Sequence, residues 1–237
     1  KYTEFDELCQ IKPHKGRVMG IGFDVNSGYI YSCSSDKTFI VSEINYQSSV
    51  NELSRGKDGY TNLVFDKSND RIFLTTEGGD LSVYLTSSNP PIEVLNISTS
   101  SKGSIRGLHI AYKKFLIFTA NVLGTICVCD LNLPGKEKLI NEISSFGGKS
   151  KLRIIRYISR TNEVITGDEE GRVTIWSLKD GQSIYAWLAH PKSAITQMYY
   201  QEEKRLLWTG GKDKAIRIWE LPEKWVNDEI EKFEETE

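Results

Sequence analysis

His14 precedes Asp36 by 22 residues, and His190 precedes Asp213 by 23. An imidazole set on a carboxylate is the working pair of general-base catalysis, so these two spacings are the first place where chemistry could reside. A second candidate is FGGKS at 146–150, whose Gly148-Lys149-Ser150 matches the end of a phosphate-binding loop. Such a loop needs a glycine five residues before Gly148, where Ile143 stands, and it must open a helix. The residues that follow, KLRIIRYI, have the composition of a strand, so the stretch reads as a solvated loop. Cys127 and Cys129 lie two apart and would face one side of a strand, but no histidine or second cysteine pair stands at zinc-ligand spacing. They read as packing residues. Asp168-Glu169-Glu170 could attract a cation or a basic peptide, and its simpler reading is an exposed acidic turn. No GxSxG nucleophile elbow occurs. Asn96-Ile97-Ser98 is a glycosylation triplet, but nothing at the N-terminus resembles a secretory signal. The expectation is a protein that is not an enzyme, with no catalytic residues, no cofactor and no metal.

The elements that would position these residues belong to a globular chain. Its 237 residues are 39% hydrophobic and 26% charged, enough to bury a sizeable core. A net charge of −2 carries no basic excess for nucleic acid, and no apolar run reaches the ~18 residues of a membrane span. Four scattered cysteines (Cys9, Cys33, Cys127, Cys129) form no disulfide framework, which points to a reducing, cytoplasmic setting.

Five segments end alike: SCSSDKTFIVSEI (32–44), TTEGGDLSVYL (75–85), TANVLGTICVCDL (119–131), ITGDEEGRVTIWSL (165–178) and WTGGKDKAIRIWEL (208–221). Each has small residues, a Gly/Asp-type turn and an alternating apolar strand. Aligned at the strand ends, Ser42, Tyr84, Cys129, Trp176 and Trp219 fall in one column, spaced 42, 45, 47 and 43 residues apart. Two more alternating runs precede each turn, for example RVMGIGF and GYIYSCS in the first copy and ITQMYY and RLLWTGG in the last. Helix signatures are missing until PEKWVNDEIEKFEETE (222–237), where Trp225, Val226, Ile230 and Phe233 share one face of an amphipathic helix of net charge −5.

These repeats resemble WD repeats, the four-stranded antiparallel blades of an all-β propeller, over roughly residues 10–221. The likeness is strongest in the last copy, with AHPKSAI and WTGGKDKAIRIWEL, while the Trp-Asp pair is degenerate in the others. It implies that His14 and Asp36, and His190, Thr209, Asp213 and Trp219, form hydrogen-bonded chains within blades, with Ser32 or Ser34 serving in the first. His109 is expected to be a packed core histidine. Residues 1–221 then form the propeller, and 222–237 an acidic helix or tail. Five copies either close on themselves or belong to a seven-bladed ring lacking two N-terminal blades here; seven is the commoner number in the family and is favoured. The copy order is also similar to the propeller of WD-repeat proteins that carry a FYVE zinc module. Residues 179–190 leave no room for that module, and the likeness implies at most a trafficking link.

Placed on such blades, the loops entering each first strand carry Lys15, Arg17, Arg55, Lys57, Lys102, Lys149, Lys151 and Lys192 against Asp58, a net +7. The neighbouring turns, with Asp36, Asp168 and Asp213 among their acids, sum to −3. A mildly basic face steers acidic partners. The resemblance implies a scaffold or adaptor that holds other proteins within a multi-protein complex, and Arg17, Lys57, Lys102, Lys151 and Lys192 are the expected contacts. The alternative is a reader of phosphoinositide or phosphopeptide in membrane trafficking, which would touch a membrane only indirectly or through that lipid.

Overall fold

Alternation of β-branched and aromatic residues with polar ones produces a strand wherever it occurs in the computed structural model, which describes residues 10–43, 50–99, 102–133, 139–144 and 150–222. The first sheet runs β1 (Val18–Asp24), β2 (Tyr29–Ser34), β3 (Thr38–Glu43) and β4 (Val50–Arg55). The second has β5 (Tyr60–Asp66), β6 (Arg71–Thr76), β7 (Asp80–Leu85) and β8 (Ile92–Ser98). The third has β9 (Ile105–Ala111), β10 (Leu116–Asn121), β11 (Thr125–Asp130) and β12 (Leu139–Ser144). The fourth comprises β13 (Leu152–Ile158), β14 (Glu163–Asp168), β15 (Arg172–Ser177) and β16 (Ser183–Leu188). The last holds three strands among the described residues, β17 (Ile195–Gln201), β18 (Leu206–Gly211) and β19 (Ile216–Glu220). Every pairing is antiparallel between chain neighbours, which makes each sheet a meander of hairpins. The amphipathic helix expected at 222–237 lies almost wholly outside the described residues.

The five-membered column is a structural column. Ser42 sits opposite Ile30, Tyr84 opposite Ile72, Cys129 opposite Ile117, Trp176 opposite Val164 and Trp219 opposite Leu207. All five stand at one register position against an aliphatic partner. The hairpin turns repeat as strictly. Fourteen residues before the column, Gly28, Asp70, Phe115, Asn162 and Arg205 have φ of 73, 50, 55, 59 and 57°. Five before it, Lys37, Gly79, Gly124, Gly171 and Lys214 have φ of 72, 90, 80, 89 and 65°. In each sheet the first and the second hairpin connection therefore close through one left-handed residue, whatever its identity. Each first strand also opens with a register shift, between Val18 and Gly20 in β1, Tyr60 and Asn62 in β5, and Leu152 and Ile154 in β13. Such a bulge re-aims the loop that precedes it.

The chain divides into two units, Lys1–Ser104 and Ile105–Glu237. In the first, the core lies between the two sheets, where Tyr31, Phe39, Leu63, Ile72 and Tyr84 pack together. Gly20 permits this approach: a Cβ there would stand 2.6 Å from that of Leu63. The second unit has two such layers. One joins β10 and β11 to β13 through Phe118, Val128, Ile155 and Trp176; the other joins the fourth sheet to the last through Ile165, Ile175, Ile195 and Leu207. Phe118 stacks on Tyr157 with ring centroids 4.7 Å apart.

Candidate interaction site

The loop ahead of β17 is built around His190. Its Nε2 lies 2.8 Å from Thr209 Oγ1 and its Nδ1 2.9 Å from Asp213 Oδ1, while Trp219 Nε1 donates to the same Thr209 oxygen at 3.0 Å. One proton order serves the chain: the indole N–H donates to Thr209, the Thr209 hydroxyl to Nε2, and Nδ1–H to the carboxylate, to which Arg217 Nη1 also donates at 2.6 Å. A hydroxyl, an imidazole and a carboxylate in this order reproduce the bonding of a nucleophile triad. Here His190 and Thr209 are both 0% exposed, and the indole occupies the oxygen that would attack. The arrangement therefore pins a loop to a turn and leaves a substrate no approach.

His14 does the same work with one more link. Its Nε2 accepts from Ser32 at 2.8 Å, Nδ1 donates to Thr38 Oγ1 at 2.7 Å, and that hydroxyl donates to Asp36 at 2.5 Å. Thr38 is interposed, so His14 and Asp36 are 3.6 Å apart instead of bonded. Ser32, not Ser34, completes this chain; Ser34 accepts the Asp36 N–H at 3.1 Å. Ser42 stands where the tryptophan would, and its buried hydroxyl has no partner. Burial alone would raise the Asp36 carboxyl, but the Thr38 hydroxyl and the N–H groups of Lys15, Gly16 and Thr38 hold it well below the usual range. Asp213 is held at about 2, chiefly by Arg217, against burial, with His190 and the Ala215 N–H assisting.

The middle sheets close the same turn without histidine. Asn121 Oδ1 accepts from Leu123 and Thr125 N–H at 3.0 and 2.9 Å, and Asp168 Oδ1 from Glu170 and Arg172 N–H at 3.0 and 2.8 Å. This corrects the reading of Asp168 as part of an exposed acidic turn. It is 2% exposed and caps its turn from inside, and burial pushes its carboxyl up despite those bonds. Glu169 is taken as well, by Arg153 at 3.0 Å and Lys151 at 3.8 Å. Cys127 and Cys129 are buried free thiols raised by burial. Gly148-Lys149 lies outside the described residues. Among the described residues no group of three or more His, Cys, Asp or Glu converges as metal ligands, and no helix is long and apolar enough to cross a membrane.

Three of the entering loops are anchored on the preceding turn. Gly56 N–H donates to the Lys37 carbonyl at 2.9 Å, Thr99 to Gly79 at 3.1 Å and His190 to Gly171 at 2.8 Å. The acceptor in each case is the left-handed residue five before the column, whose conformation turns its carbonyl toward the next loop. Upon these anchored loops stand Lys57, Lys102 and Lys192, and Lys15 stands on the first entering loop, whose Lys15 and Gly16 N–H groups donate to Asp36 at 2.7 and 3.1 Å; all four are exposed and all lie 27 residues ahead of the column. Sequence reading counted these lysines without seeing that they share one register position. In the first unit the structure places Arg17, Lys57 and Lys102 on such loops, with Lys37 Nζ donating to the Lys57 carbonyl at 2.7 Å. In the second unit Lys192 is left-handed, with φ 55°, and Lys151 is partly neutralised by Glu169. A groove of about 420 Å³ in the first unit, lined by Tyr29, Val41, Glu52, Leu53 and Pro90, was not foreseen. Its tyrosine hydroxyl accepts from Asn89 and Glu52 is held by Arg55, so those polar groups are already satisfied.

Comparison with known proteins agrees with this geometry. Residues 5–41 match the family model described as WD domain, G-beta repeat. A 60-residue stretch, 25% of this chain, is 35% identical to ASTRA-associated protein 1 of Meyerozyma guilliermondii, and spans 13% of that protein's length. The crystal structure of the computationally designed Ika8 protein superposes with a TM-score of 0.68 at 20% identity, covering 87% of this chain and 59% of that one. The last likeness is one of fold: meandering antiparallel sheets of the propeller-blade kind.

Proposed function

With WD repeats as the premise, we propose that this protein is a non-catalytic scaffold or adaptor subunit that holds partner proteins on the loops entering its first strands. The observation that carries the reading is the lysine at one register position in every described entering loop, above a turn whose own polar groups are bonded internally. Anchored loops lose little conformational freedom on binding, so a partner meets preorganised ammonium groups within each unit. The complementary segment is acidic or phosphorylated. Membership of a multi-protein assembly is supported by the name of the relative, which describes an associated protein. The net charge of −2 argues against nucleic acid as the partner.

Binding of the purified protein to arrays of acidic and phosphorylated peptides tests this. Lys57→Glu and Lys192→Glu are each expected to weaken capture several-fold. Lys67→Glu, on a turn at the other end of its sheet, should leave it unchanged. Capture indifferent to both loop substitutions would overturn the reading. Flotation with phosphoinositide liposomes, in the absence of peptide capture, would favour the lipid-reading alternative, for which the same lysines would serve.

A further inference from the structure

Three register positions share one face in every sheet. Counted back from the column they lie eleven, three and one residues before it, on the second and third strands. In the first sheet they hold Tyr31, Phe39 and Val41, with Tyr31 directly across from Val41, and all three are buried. In the third they hold Phe118, Ile126 and Val128, and in the fourth Ile165, Val173 and Ile175, all buried as well. In the last sheet the same positions hold Trp208, Ile216 and Ile218, and all three are exposed, Ile216 at 75%. Tyr199, Trp208 and Ile218 stand directly across from one another as a row, and Tyr199 is exposed too. Strand alternation puts Ile216 beside that row on the same face. A contiguous apolar face left in water marks an interaction surface.

Within the two units, the same part of the next sheet covers this face each time: the positions twenty-one, nineteen and twelve before the column. Tyr31, Phe39 and Val41 pack with Leu63, Phe65 and Ile72. Phe118, Ile126 and Val128 pack with Ile155, Tyr157 and Val164. Ile165, Val173 and Ile175 pack with Met198, Tyr200 and Leu207. The first sheet carries Ile21, Phe23 and Ile30 at those covering positions. Ile21 is 67% exposed, Phe23 is exposed and Ile30 half-buried. They point away from Gly20 and Gly22, which lie against Leu63 and Phe65 of the second sheet. Each half of the repeated layer therefore occurs once in uncovered form, one half on each unit.

We propose that a second copy of this chain covers the exposed face of the last sheet, seating Ile21, Phe23 and Ile30 of its first sheet against Trp208, Ile216 and Ile218. The register chooses the occupant: among the described residues, the first sheet alone has its covering positions open, and they carry the apolar residue types that fill this layer elsewhere. The contact is heterologous. A copy that covers its neighbour keeps its own last sheet open for a third, so association runs head to tail. The loop lysines take no part in it, so it stands or falls apart from the docking reading.

Sedimentation velocity of the purified full chain, over about a hundredfold range of concentration, tests this. The average mass should rise with concentration above that of the single chain. Ile216→Glu and Ile21→Glu alter exposed positions outside the internal layers, and each variant should sediment as a monomer. An equimolar mixture of the two should form dimers and nothing larger, because Ile21→Glu keeps its last sheet intact and Ile216→Glu its first. Recovery in the mixture also shows that both variants are folded. Val94→Glu, at an exposed position on β8 of the second sheet, should associate as the wild type does. A wild-type protein that stays monomeric throughout would overturn the proposal. So would association that Ile216→Glu leaves intact, or association that Ile216→Glu abolishes and Ile21→Glu does not, which would be the last sheet meeting its own kind.

Discussion

Thr209 accepts from Trp219 and donates to His190, so one hydroxyl joins the last strand to the loop ahead of β17. Thr209→Val keeps the shape and leaves two buried polar groups without a partner. It should cost about 1–3 kcal/mol in urea unfolding, more than Thr166→Val, whose hydroxyl receives the Trp176 N–H but meets no histidine. His109 sets a different test. Folded, it is pushed down by burial to about 4; unfolded, it titrates near its ordinary 6.5. Between those values the unfolded chain binds more protons, so this contribution is fully present above pH 6.5 and is lost as pH falls toward 4. The loss is on the order of 2–3 kcal/mol, and His109→Gln should flatten that limb when unfolding midpoints are measured from pH 7 to 4.5. Asp213 works lower on the scale. Held at about 2, it contributes stability above the ordinary carboxylate range that disappears as pH drops from about 4 through 2. Asp213→Asn should remove that dependence.

At the scale of the hairpin, one conformational demand is met by two chemistries. The turn residue five before the column is glycine in the middle three sheets and lysine in the first and last. A left-handed lysine costs about 1–2 kcal/mol. In those two turns the preceding aspartate accepts an N–H beyond it, from Thr38 at 3.0 Å or Ala215 at 3.2 Å, which offsets the strain. Lys214→Gly is therefore expected to be neutral or to stabilise by up to about 1 kcal/mol. Gly171→Ala is expected to be severe, roughly 3 kcal/mol or more, because the new Cβ would overlap the His190 carbonyl that it faces. Thermal unfolding of the two variants checks the contrast; equal losses would show that loop anchoring is not what requires the glycine.

At the scale of the molecule, a net charge of −2 conceals a strong segregation, with lysines on the entering loops and carboxylates drawn into the turns beneath them. Affinity for an acidic segment should fall several-fold between 50 and 300 mM salt, about as expected for a few exposed ion pairs. An affinity flat across that range would mean that apolar contacts carry the binding. The chain aligns with 59% of the designed protein's length and 13% of the curated relative's, so the whole-protein partners of those molecules are not transferred to it.

Strand positions, the repeat period and the five-residue column were legible in the residues because alternation and turn chemistry act between near neighbours in the chain. The His190–Thr209–Trp219 chain was legible through family likeness. Other features were not. Asp168 reads as exposed until its side chain is seen turned inward onto two N–H groups. Lys151 reads as unpaired until Glu169 is placed beside it. Those outcomes depend on which distant strands become neighbours and on how much water they exclude. Linear spacing carries no measure of either quantity; burial and charge proximity arise only when sheets pack.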